Sequence, residues 1–126
     1  MCIGLGLLWS GLAGCSTVSP AGYYWGKYSE TLYPLVSDRS EENLKKHAAE
    51  LQRIVEVSKE KNLKVPPGIY AELGYTFQRL GDQEETNRQY ALEIQTYPES
   101  RVFLERLMAI RASPDKAANL SPEGNQ

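Results

Sequence analysis

The sequence predicts an all-α fold built of antiparallel helical hairpins, and three observations carry that prediction. Apolar residues recur three and four positions apart over long stretches. Capping side chains, glycines and prolines fall between those stretches, where helices start and stop. No segment alternates convincingly with the period of two that a half-buried strand requires. A length of 126 residues suits one small domain. The 14 basic and 16 acidic side chains leave a net charge of −2, with no basic footprint for nucleic acid. One histidine and two cysteines are too few for a structural zinc site, and no metal or cofactor is expected.

The N-terminal residues 1–14 carry no charge, and their apolar run, Ile3 to Trp9, has the length of a signal-peptide core. It is far shorter than the ~20 residues of a membrane-spanning helix. Gly4, Gly6, Gly11 and Gly14 also make it a poor helix for a protein interior. Leu12-Ala13-Gly14-Cys15 resembles the lipobox of bacterial lipoproteins. The small residues let the backbone enter a peptidase cleft, and the Cys15 thiol is the site of lipidation. The resemblance implies palmitate-type acyl chains on Cys15, enough for stable anchoring. No Lys or Arg precedes Leu12, so the translational start is expected upstream of Met1. Ser16 follows the cysteine in place of an inner-membrane retention aspartate. The expected location is therefore the outer membrane, lipid-anchored on its periplasmic face.

Residues 15–22 read as a lipidated tether, 23–112 as a helical domain and 113–126 as a disordered tail with almost nothing to bury. At the start of the domain stands an aromatic cluster of Tyr23, Tyr24, Trp25, Tyr28 and Tyr33. Two readings compete: a belt at the membrane interface, or packing of a short helix that shows Tyr28, Leu32 and Leu35 on one face. The second is preferred because a small domain needs its aromatics. Ser37 to Ser40 supply caps for a long helix ending near Asn62, with Leu44, Ala48, Leu51, Val55 and Ser58 as its buried stripe. Its charges read as a solvated face. Val65-Pro66-Pro67-Gly68 starts another helix, in whose first turn proline is tolerated. Asp82 with Glu85 resembles a capping box for the next, which runs to about Thr96. Pro98 then opens a last helix with Val102, Phe103, Leu107 and Ile110 among its apolar residues.

Tyr70, Leu73, Gly74, Phe77, Tyr90 and Pro98 reproduce most of the tetratricopeptide pattern. Gly74 lets two helices approach closely, Tyr70 and Phe77 fill the space around the contact, and Gly81 makes the turn. Thr86 and Glu93 stand where alanine is usual, which predicts looser packing there. Only about one and a half units of this tetratricopeptide-like pattern are present, so the flanking helices must close the core. Together, YYWGKYSETLY, PPGIYAELGYTFQRLGD and YPESRVFLERLM resemble an uncharacterised family of Gram-negative lipoproteins, the domain of unknown function 4810. That resemblance implies a small envelope lipoprotein often encoded beside a CsgG-like lipoprotein, with no catalytic residues to carry over.

No nucleophile elbow, HExxH, P-loop or dinucleotide fingerprint occurs. His47, the lone histidine, reads as a surface or boundary residue. No enzymatic activity is expected. The expected function is a protein–protein interaction or assembly module, within a CsgG-like envelope secretion or assembly complex. The alternative is a regulator of peptidoglycan synthesis or outer-membrane protein assembly. The partner-binding candidates are Glu72, Tyr75, Thr76 and Arg79 on the exposed side of the first hairpin helix, together with Tyr23, Tyr24 and Trp25.

Overall fold

A computed structural model describes residues 22–112. The signal segment 1–14, Cys15, the tether up to residue 21 and the tail 113–126 lie outside the described residues. Five α-helices follow in order: α1 (Tyr28–Ser37), α2 (Glu41–Glu60), α3 (Ile69–Leu80), α4 (Gln83–Thr96) and α5 (Arg101–Ala112). A single 3-10 turn, Pro98–Ser100, leads into α5. Among the described residues there is no strand, and no helix is long and apolar enough to cross a membrane.

Local chemistry sets the boundaries. The Ser40 hydroxyl accepts from the Asn43 amide at 3.4 Å, and Asp82 Oδ1 accepts from the Glu85 amide at 3.0 Å, capping α2 and α4. The box at Asp82 is only half formed, because the Glu85 carboxylate turns away to accept from Arg88 and Gln89. Gly81 closes α3 at φ +85°, a left-handed conformation that glycine adopts without steric cost. The prolines sit differently from expectation. Pro66 and Pro67 lie just ahead of α3 in a turn closed by the Ile69 amide on the Pro66 carbonyl, and Gly68 at φ +89° is the residue that enters the helix.

The core is one stripe of α2 against one stripe of α3. Ala48, Leu51, Ile54 and Val55 meet Ile69, Tyr70 and Leu73, with Val65 of the connecting loop between them. Phe77, Leu92, Tyr24 and Tyr28 pack around this cluster. Burying each large aliphatic side chain contributes roughly 1.5–3 kcal/mol. The α2 stripe is therefore buried as its spacing predicts, Ser58 included. Tyr24 and Tyr28 follow the packing reading of the aromatic cluster, whereas Tyr23, Trp25 and Tyr33 keep 43%, 45% and 72% of their surface exposed.

The α3–α4 hairpin is the tightest contact in the fold. Gly74 lies against the Tyr90 ring so closely that a Cβ there would sit 2.6 Å from two ring carbons. Tyr90 is itself fully buried and its hydroxyl donates to Gln78 Oε1 at 3.2 Å. Thr86 and Glu93, which stand where alanine is usual, are both buried. Thr86 hides its hydroxyl by donating to the Asp82 carbonyl one turn back, at 2.6 Å. Glu93 Oε1 accepts from the Gly68 amide at 2.9 Å and from the Ser100 hydroxyl at 3.3 Å. Beside it the Tyr97 hydroxyl donates to the Val65 carbonyl at 2.6 Å. On α5 only Leu104 is buried, while Val102 and Phe103 face solvent.

Candidate functional site

His47 overturns the surface reading: it is fully buried on α2. Its Nε2 lies 2.9 Å from Glu72 Oε1 on α3, and its Nδ1 lies 2.8 Å from Thr31 Oγ1 on α1. A carboxylate only accepts, so Nε2 donates to Glu72, while Thr31 Oγ1, which donates to the Tyr28 carbonyl at 3.1 Å, pairs with Nδ1. Tyr28 completes the arrangement by donating its hydroxyl to Glu72 Oε2 at 2.7 Å. Burial, reinforced by the hydrogen bond and charge of Glu72, raises the Tyr28 hydroxyl far above the usual tyrosine range. One carboxylate thus gathers donors from α1 and α2 onto α3. Hydroxyl, imidazole and carboxylate in series resemble an activated nucleophile in outline. These bonds join α1, α2 and α3.

Over this network the first and third helices part to leave a groove of about 160 Å³. Leu32, Leu35 and Val36 of α1 form one wall, and Tyr75 and Thr76 of α3 the other, with Leu44 of α2 beneath. Glu72 reaches the groove from the network, and Arg39 and Arg79 stand exposed at its edge. Among the described residues neither arginine makes an ion pair. Glu72 accepts from His47 and Tyr28, and Asp38 accepts from Asn43 and Ser40.

All four candidates on α3 therefore meet in this groove, although not all as exposed residues. Tyr75 keeps 44% of its surface and Arg79 is exposed, whereas Thr76 is buried and donates to the Glu72 carbonyl at 2.8 Å. Glu72 is half-buried, its carboxylate committed to the network. Tyr23, Tyr24 and Trp25 are not part of the site. Tyr24 lies under Lys61 Nζ, 5.3 Å from its ring centre, at the far end of α2. From Leu44 to that end the helix runs ~25 Å at ~1.5 Å per residue. Trp25 stacks edge-on against Tyr28 with ring centres 5.5 Å apart. The Glu50 carboxylate holds this strap by accepting from the Lys27 amide at 2.6 Å.

Sequence reasoning missed Val36 and Arg39 as groove residues, and His47 with Thr31 as the support behind it. The signal for His47 was present, since His47, Leu51, Ile54 and Ser58 fall on one helical stripe and all are buried. Nothing local marks Thr31, whose partner is 16 residues away. Among the described residues no group of histidine, cysteine or carboxylate side chains is arranged to hold a metal ion.

No curated protein and no solved structure matches the chain. A family profile matches residues 23–107, from the aromatic strap into α5, and its description is a domain of unknown function (DUF4810).

Proposed function

The chain belongs to the DUF4810 family, and for this member we propose a protein-interaction module tied by an acylated Cys15 to the periplasmic face of the outer membrane. The groove between α1 and α3 carries the reading. It exposes Tyr75 beside two arginines that have no ion-pair partner among the described residues, and tyrosine and arginine are enriched among the binding anchors of protein interfaces. Leu12-Ala13-Gly14-Cys15 supports the anchor. The role is assembly of an envelope complex by contact, without catalysis. The sequence resemblance makes CsgG-like lipoproteins the first partners to try.

The test is to recover the protein from detergent-solubilised envelopes and weigh its N-terminal peptide by mass spectrometry. An acylated Cys15 freed of residues 1–14, with a second envelope lipoprotein co-purifying, is the expected result. An unmodified thiol with residues 1–14 attached refutes the anchor, and recovery as a lone monomer refutes the assembly role.

A further inference from the structure

We propose that the α1–α3 groove takes an acidic segment of a partner protein that inserts one side chain of leucine or phenylalanine size. The proposal deepens the interaction-module reading and rests on it. Size is the first argument. A cavity of ~150 Å³ lined by apolar side chains holds one benzene ring, so about 160 Å³ between Leu32, Val36 and Tyr75 suits a single apolar side chain.

Charge is the second argument. The chain as a whole is mildly acidic, at −2, yet the groove edge carries Arg39 and Arg79 with no ion-pair partner among the described residues. Glu72 accepts from His47 and Tyr28, and Asp38 from Asn43 and the Ser40 amide. An arriving Asp or Glu therefore meets planar guanidinium groups able to bind it bidentately, with no ion pair among the described residues to displace. Rigidity is the third. The network behind Glu72 fixes α1 and α3 on α2, so the groove is formed before the ligand arrives.

Selection of random dodecapeptides displayed on phage, with the full chain as bait, tests this directly. The expected survivors carry a single leucine or phenylalanine flanked by Asp and Glu. A fluorescein-labelled survivor should bind at least tenfold more weakly to the Arg39→Glu/Arg79→Glu variant and weaken steeply with salt. Both positions are exposed, so the variant should keep the wild-type circular dichroism and melting temperature. Basic or uncharged survivors, or survivors indifferent to the double variant, overturn the proposal. So does self-association of the chain in sedimentation that Tyr75→Glu abolishes, which assigns the groove to a second copy. Peptides that bind only after Leu120→Ser assign it to the chain's own C-terminal segment, and again the proposal falls. If the double variant still captures its envelope partner, the groove proposal fails while the interaction-module reading stands.

Discussion

Replacing Gly74 with alanine adds one methyl group where α3 lies directly against the Tyr90 ring of α4. The new Cβ would lie 2.6 Å from two carbons of the Tyr90 ring and 3.2 Å from the Thr86 carbonyl oxygen. Neither neighbour has an easy retreat. The ring is fully buried and tethered through its hydroxyl to Gln78, and the carbonyl belongs to α4. Overpacking of this kind costs ~1–3 kcal/mol, and contacts this short argue for the upper half of that range. Alanine recovers ~0.5–1 kcal/mol because glycine is a poor residue inside a helix. The net expectation for Gly74→Ala is a loss of ~1–2 kcal/mol, or about 5–15 °C in melting temperature for a domain of this size. Thermal and urea unfolding followed by circular dichroism measure it. Repeating the substitution in a Tyr90→Leu background isolates the cause, since without the ring only the Thr86 carbonyl stays close and the loss should shrink. Equal or greater stability of the single variant, or the same loss in both backgrounds, would refute close approach as the reason for glycine.

His47→Leu should lower stability by ~1–3 kcal/mol in urea unfolding, because it removes the bond from α2 to Thr31 and one of two donors to Glu72; an unchanged midpoint would count against the three-helix network. Alkali should destabilise the protein. Burial holds Tyr28, Tyr70, Tyr90 and Tyr97 in their protonated forms, Tyr97 being pushed up to about 12 with help from the neighbouring Tyr23. The unfolded chain loses these protons first, so their contribution is complete below about pH 10 and drains away as pH rises further. Urea midpoints at rising pH should fall less steeply for Tyr28→Phe than for the wild type. Glu50→Ala should expose the Lys27 amide to rapid deuterium exchange, because it removes the carboxylate to which that amide donates; protection equal to the wild type would contradict the assigned anchor.

What the sequence made legible is what periodicity and local geometry encode. The α2 stripe, the caps at Ser40 and Asp82 and the need for glycine at position 74 depend on neighbours a turn or two away, or on a familiar hairpin spacing. The polar members of the interior were harder. His47 and Glu50 lie on the buried side of α2, but a charged or titratable residue on a helix is usually solvated, and their partners are 16 to 25 residues distant. Thr86 and Glu93 looked like flaws against the repeat pattern because the acceptor for the Thr86 hydroxyl and the donors to Glu93 Oε1 are visible only in three dimensions. Of the candidate binding residues, the spacing brought the α3 set to one place, while the far wall of the groove comes from α1. The exposed Val102 and Phe103 show the reverse failure: apolar character on a terminal helix does not guarantee a neighbour to cover it.

The bonds of Glu93 and Tyr97 reach well beyond their own helix. Through the Gly68 amide, the Val65 carbonyl and the Ser100 hydroxyl, they knot the passage into α3 to the passage into α5. A pull on the C-terminal helix is thus felt at the prolines some thirty residues earlier, and the two crossings should loosen together as one mechanical latch.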